Sequence, residues 1–170
     1  MTSIFLVGFM GCGKTHIGHM LAKAMSYHFI DMDHYLEESF GETIPAIFEK
    51  QGETFFRQLE HETLMSLKEK SNYVFSTGGG APCFHNNIEI MNAAGTTIYL
   101  NVAPETIVKR ILHQRDHRPI LKGFANEIEL LNFVEKKITE RNQFYKQAKI
   151  IIDANGDADE ILKKVMSYGL

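Results

Sequence analysis

Apolar residues gather in five short runs, Ile4–Val7, Phe29–Asp31, Tyr73–Ser76, Thr97–Val102 and Ile150–Asp153. β-Branched and aromatic side chains dominate them, and continuous rather than alternating apolar character marks strands covered on both faces, as in a parallel sheet. The longer segments between the runs carry the helical period instead. Ile17, Met20, Leu21 and Ala24 repeat at that spacing, and so do Ile107, Val108, Ile111 and Leu112 after Pro104, a residue suited to a first helical turn. The pattern predicts an α/β fold, a five-stranded parallel sheet flanked by helices. Met10, Met20, Met25, Met65 and Met91 are expected to fill its core.

One stretch departs from the alternation. From Arg115 to Asn126, charged residues, Pro119 and Gly123 interrupt the helical period, and the region of about 113–126 is expected to be a mobile loop. No internal repeat, low-complexity tract or linker divides the 170 residues. That length suits one domain spanning 1–170.

Charge narrows the function. A net charge of -3 and a pI near 6.2 provide no basic face for a nucleic acid. No run approaches the roughly 20 apolar residues that a spanning helix needs, and the first residues enter a strand without a basic leader. A cytoplasmic protein with neither a nucleic-acid nor a membrane partner is expected, acting as a monomer. Two cysteines, Cys12 and Cys83, suit reduced thiols rather than a disulfide framework.

The sharpest chemical signal is Gly8-Phe9-Met10-Gly11-Cys12-Gly13-Lys14-Thr15, which satisfies G-x-x-x-x-G-K-[ST] between a predicted strand and a predicted helix. Glycines let successive N–H groups turn inward toward phosphate oxygens, and the helix N-terminus adds partial positive charge. Lys14 is placed to reach the β- and γ-phosphates of ATP, and the Thr15 hydroxyl to ligate Mg²⁺. The bland alternative, a glycine turn with an accidental Lys-Thr, fits the flanking elements poorly. In a phosphotransferase the 113–126 loop is placed to close over the reacting groups as a lid.

Further motifs follow in order: Phe29-Ile30-Asp31-Met32-Asp33, Gly41-Glu42-Thr43-Ile44-Pro45-Ala46-Ile47-Phe48, Gly52-Glu53-Thr54-Phe55-Phe56-Arg57 with Glu60, and Ser76-Thr77-Gly78-Gly79-Gly80. Arg115-Asp116-His117-Arg118-Pro119-Ile120-Leu121 comes next, and then Arg141 four residues before Tyr145. Together with the phosphate loop they resemble shikimate kinase along nearly the whole chain. The resemblance implies a P-loop kinase fold with a lid loop and a helical substrate-binding segment at about 33–61. It also implies transfer of the γ-phosphoryl group of ATP to the 3-hydroxyl of shikimate, a step toward chorismate and the aromatic amino acids.

Residue roles are implied by the same likeness. Gly11, Cys12, Gly13, Lys14, Thr15 and His16 would hold the nucleotide, with Arg115 beside it. Thr15 and Asp31 would serve the Mg²⁺ ion. Asp33 would bind shikimate hydroxyls and act as base, while Arg57 and Arg141 hold the carboxylate against Gly78, Gly79 and Gly80. Arg118 would neutralise charge on the transferring phosphoryl group. Read from the residues alone, Asp31 and Asp33 alternate at a strand end and point to opposite sides, so that one serves metal and the other acceptor. A helix cap is the bland reading of either. Arginines taken singly are more often solvated surface residues.

Three departures from the family pattern stand out: His16 where Ser or Thr is frequent, Ile120 where Leu is usual, and Pro82-Cys83 after the glycines. Rival functions are another small-molecule P-loop kinase, acting on gluconate or a nucleoside monophosphate, a GTP-dependent switch, and a catalytically silent binding module. The switch lacks an Asn-Lys-x-Asp motif, and Asp153 to Gly156 falls too late in the chain to be a switch region. His113 with His117 and Cys83 with His85 do not make a familiar zinc set.

Overall fold

The computed structural model describes residues 3–112, 124 and 126–170. Strands β1 (Ser3–Val7), β2 (His28–Asp31), β3 (Tyr73–Ser76), β4 (Gly95–Asn101) and β5 (Ile150–Asp153) form one sheet in the order β2-β3-β1-β4-β5. Every neighbouring pair is parallel. The helices are α1 (Lys14–Met25), α2 (Met32–Phe40), α3 (Ile44–Leu67), α4 (Asn87–Ala94), α5 (Pro104–Leu112), α6 (Glu127–Tyr145) and α7 (Ala158–Met166). The five apolar runs are thus the five strands, and the α/β architecture is the expected one.

Strand order explains where a ligand can sit. From β1 the chain crosses to β2, returns to β3 beside β1, and then passes to β4 on the other side. Such a reversal opens a crevice at the carboxyl ends of the strands. The Gly8–Thr15 loop leaves β1 at that crevice. Between β2 and β3 the chain builds α2 and α3 instead of a simple crossover, and α3 is broken at Gly52, whose backbone is not helical.

Side chains of alternate strand residues enter two cores. Ile4, Leu6, Val74, Ile98 and Ile152 meet Ile17 and Leu21 of α1, Val134 of α6 and Ile161 of α7. Phe5, Val7, Phe75 and Tyr99 meet Leu64 of α3, Met91 of α4 and Tyr145 of α6. Met91 is fully buried and Met10, Met20 and Met25 pack partly buried against the core. Met65 departs from expectation: it lies 41% exposed on the outer side of α3. Its spacing puts it next to Leu64, and adjacent helical residues do not share a face.

Phe5 and Phe75 lie on adjacent central strands with ring centroids 4.9 Å apart and planes 17° from parallel, and both are fully buried. Replacing Phe75 by Ala removes that partner and leaves a cavity. The expected loss is about 3–5 kcal/mol of unfolding free energy, read from the urea midpoint at unchanged slope.

Candidate active site

The loop after β1 is built on backbone that side chains resist. Gly8, Gly11 and Gly13 have φ values of 143°, 78° and 99°, a region that only glycine enters freely. Gly13 precedes α1, so the first turn of the helix carries Lys14 and Thr15. The Lys14 ammonium is buried, donating to the Gly8 carbonyl at 2.8 Å and the Phe9 carbonyl at 3.0 Å. Cys12 contributes shape: its side chain is buried in the core, its N–H donates to Phe9 O at 3.2 Å, and its carbonyl accepts from Arg110 at 3.2 Å.

Arg110 does more than close that loop. Its other terminal nitrogen donates to Ala154 O at 3.2 Å and reaches Gly156 O at 3.5 Å. One guanidinium therefore joins the phosphate loop to the segment after β5, a link that the helical spacing of α5 does not reveal.

Asp31 organises the next edge of the cleft. One carboxylate oxygen accepts from the Thr15 hydroxyl at 2.7 Å; the other accepts from Asp33 N at 3.2 Å and His34 N at 3.4 Å, capping α2. Ser76 Oγ lies 3.5 Å from the Thr15 hydroxyl. The expected strand alternation of Asp31 and Asp33 is corrected here. Because Asp31 caps a helix, the strand stops at it, and Asp33 occupies the first turn of α2. The two carboxylates still border the same cleft of about 260 Å³, with Lys14, Thr15, His16 and Ser76.

The glycine triplet forms the adjoining wall, and charged side chains crowd against it. A methyl group on Gly78 would strike the Glu60 carboxylate and lie 2.7 Å from Asp33 Oδ1. On Gly80 it would lie 2.5 Å from Arg57 Nη1, and on Gly79 3.6 Å from Arg141 Nη1. Asp33, Arg57, Glu60 and Arg141, scattered over more than a hundred positions of sequence, thus meet along three glycines. Arg57 pairs with Glu60, and its Nε and Nη2 donate to Glu53 at 3.2 and 3.0 Å. Phe56 and Phe84 lie 5.1 and 4.5 Å from the Arg57 guanidinium carbon, and Phe9 lies 5.4 Å from that of Arg141.

Burial sets the electrostatics of this corner. It pushes the Asp33 carboxyl up to about 6, helped by Asp31 and opposed by Lys14. It pushes Glu60 up to about 7 against the pull of Arg57. For Arg57 itself burial opposes the charge, but Glu60 and Glu53 outweigh it and raise the pKa, so the guanidinium stays cationic. Cys83 is driven up to about 11, chiefly by burial, which leaves a protonated thiol beside the wall.

Among the expected site residues, Lys14, Thr15, His16, Asp31 and Asp33 line one cleft, and Arg57, Arg141 and Gly78–Gly80 form its continuation. Arg115 and Arg118, with most of the expected 113–126 lid, lie outside the described residues. Among the described residues no group of three or more His, Cys, Asp or Glu side chains could hold a metal ion by itself. Glu60, Ser76 and Arg110 are the site-forming residues whose positions sequence reasoning left without a role. Glu60 had a signal, being three residues from Arg57 on a predicted helix.

A phosphate loop leaving the central strand of this sheet order, beside paired carboxylates, defines a P-loop kinase. The chain belongs to the shikimate kinase family, whose model matches residues 10–168. The shikimate kinase of Parabacteroides distasonis is 45% identical over 154 residues, covering 91% of this chain and 88% of that protein. The crystal structure of shikimate kinase from Bacteroides thetaiotaomicron superimposes with a TM-score of 0.94 at 39% identity, covering 98% of this chain and 97% of the other. Shikimate kinase from Acinetobacter baumannii, solved in complex with shikimate, gives 0.85 at 34% identity over 100% of this chain and 96% of its own. A gluconokinase from Sinorhizobium meliloti 1021 shares the fold alone, at 16% identity and a TM-score of 0.57 over 98% of this chain and 90% of its own. A gluconate kinase is therefore not the favoured reading.

The raised Asp33 pKa carries a stability consequence with a definite sign. A carboxyl whose folded pKa exceeds its unfolded value of about 3.9 favours the fold while protonated, and that contribution is lost as pH rises through about 6. Asp33→Asn keeps the position neutral at every pH. Its melting temperature is expected to exceed that of the parent at pH 7.5, with the gap closing at pH 4.

Proposed function

We propose that the chain transfers the γ-phosphoryl group of ATP to the 3-hydroxyl of shikimate, releasing ADP and shikimate 3-phosphate for aromatic amino acid biosynthesis. The observation that carries the substrate is the meeting of Arg57, Arg141 and Asp33 along Gly78–Gly80, in the continuation of the phosphate-loop cleft. Planar guanidinium forks suit a carboxylate, a carboxylate side chain suits hydroxyls, and the bare wall lets a small ring lie against backbone. Residues 33–61 serve as the acceptor-binding segment in this reading.

Within that site each group has one task. Lys14 and the loop N–H groups hold the β- and γ-phosphates, and Arg57 and Arg141 hold the acid end of shikimate. The 3-hydroxyl oxygen attacks the γ-phosphorus as the bond to the β–γ bridging oxygen breaks, its electron pair leaving with ADP. Asp33 takes the hydroxyl proton. With its pKa near 6, Asp33 is ionised at neutral pH yet a stronger base than an ordinary aspartate. By the family resemblance, Arg118 would neutralise charge on the moving phosphoryl group and Arg115 would contact the nucleotide.

The hard oxygen donors beside Lys14 fit a magnesium ion. Thr15, through its hydroxyl, and Asp31, through its carboxylate, would hold it, with the Ser76 hydroxyl close by. When bound, Mg²⁺ neutralises phosphate charge. No helix among the described residues is long and apolar enough to cross a membrane. We place the enzyme in the cytoplasm as a monomer that binds neither membrane nor nucleic acid.

ADP release from ATP and Mg²⁺ is measured with shikimate, gluconate, AMP or no acceptor. Turnover is expected with shikimate alone; turnover with another acceptor instead would overturn the substrate. The acid limb of kcat/KM should fall below about pH 6, where Asp33 becomes protonated. Arg57→Lys preserves a charge beside Glu60 but loses the planar fork, so KM for shikimate is expected to rise about tenfold or more while KM for ATP stays put.

A further inference from the structure

The glycine wall has no side chains with which to hold itself, yet its spacing to two arginines decides how a small acid fits. One carbonyl of the wall, and the one that follows it directly at Ala81, are each gripped by a buried side chain. The Tyr145 hydroxyl donates to Gly79 O at 2.5 Å, and the Asn87 amide nitrogen donates to Ala81 O at 2.9 Å. Both Tyr145 and Asn87 are completely buried. Asn87 is held in turn, its amide oxygen lying 2.7 Å from His61 Nδ1. Because the Asn87 nitrogen is the donor to Ala81, its oxygen accepts, and His61 Nδ1 carries the hydrogen whether the ring is neutral or protonated.

The helical positions of these residues are informative. Tyr145 stands four residues after Arg141 on α6, and His61 four residues after Arg57 on α3, so each lies one turn from an arginine on the same helix face. The Tyr145 ring is seated against Tyr99 with centroids 5.1 Å apart, and Tyr99 donates to Asn142 at 3.0 Å. Burial raises the Tyr145 phenol far above its ordinary pKa, so it remains a donor at every working pH. The wall is therefore fixed to the α6 turn beside Arg141 and, through Asn87, to the α3 turn beside Arg57.

We propose that Tyr145, Asn87 and His61 are positioning residues for the acceptor, two clamps that hold the Gly78–Gly80 backbone at a set distance from Arg141 and Arg57. The proposal rests on the reading of this site as a shikimate site. Its specific content is that the Tyr145 hydroxyl acts on acceptor binding, beyond what the ring contributes to packing. Loss of the hydroxyl frees Gly79 O and lets the wall move relative to Arg141, which weakens shikimate in ground and transition states alike. Such a change raises KM and spares kcat.

Steady-state ADP release is measured for the parent, Tyr145→Phe and His61→Leu, varying shikimate and ATP separately, with thermal melting alongside. Parent turnover with shikimate tests the functional reading by itself, and its absence would remove both readings together. Given that turnover, Tyr145→Phe is expected to raise KM for shikimate about tenfold, with kcat and KM for ATP within about twofold. His61→Leu, which acts through Asn87, is expected to give a smaller rise of the same kind and serves as the readout should Tyr145→Phe fail to fold. An unchanged KM for shikimate in the folded variants, or equal rises in both KM values, would show a packing role only and overturn the proposal.

Discussion

The carboxylate of Asp31 is the joint on which the site depends. One of its oxygens takes the Thr15 hydroxyl from the first turn of α1, and the other takes two N–H groups from the first turn of α2. Two helix N-termini, each with its partial positive charge, are thereby drawn to a single anion at the end of β2. In the proposed function, the geometry of both substrates follows from that convergence. The phosphate loop ends where α1 begins, and Asp33 is presented where α2 begins, so the distance between donor and acceptor ends is fixed by one residue serving both.

Asp33 and Glu60 are carried in an environment that disfavours their charged forms. A sequence selected for stability alone would not place them there. The tension is offset by the two cores of the sheet, where completely buried aromatic and aliphatic side chains far outnumber the strained groups. Arg57 and Glu60 make the corner tolerable as a pair, since either alone would be a buried charge without its partner.

Much of this was legible in the sequence, and for identifiable reasons. Parallel strands announce themselves as continuous apolar runs, and the phosphate loop is contiguous, so both are local signals. The position of Asp33 departs from strand alternation because alternation and helix capping compete for the same Asp-x-Asp pattern, and hydrogen bonds to Asp31 decide in favour of the cap. The arginine pair was legible only through family resemblance, because Arg57 and Arg141 meet by tertiary packing across a glycine wall that no periodicity encodes. Arg110 lay hidden for a related reason: on a helix surface a brace between two loops reads as a solvated cation.

The complete burial of β1 on both faces has a consequence for how the loop finds its place. A strand that alternates polar and apolar residues is held in register by water, since a slip of one residue would turn its apolar side outward. Ser3–Val7 has no such guide, because all five residues are buried. What distinguishes its faces is shape: Phe5 stacks on Phe75 on one side, while Ile4 and Leu6 mesh with branched aliphatic neighbours on the other. A slip of one position would carry the following glycines about 3.3 Å along the strand axis, more than the length of either hydrogen bond Lys14 makes to the loop carbonyls of Gly8 and Phe9. The alignment of a charged, water-facing phosphate cradle is thus decided in the dry interior, by the difference between a ring and a branch.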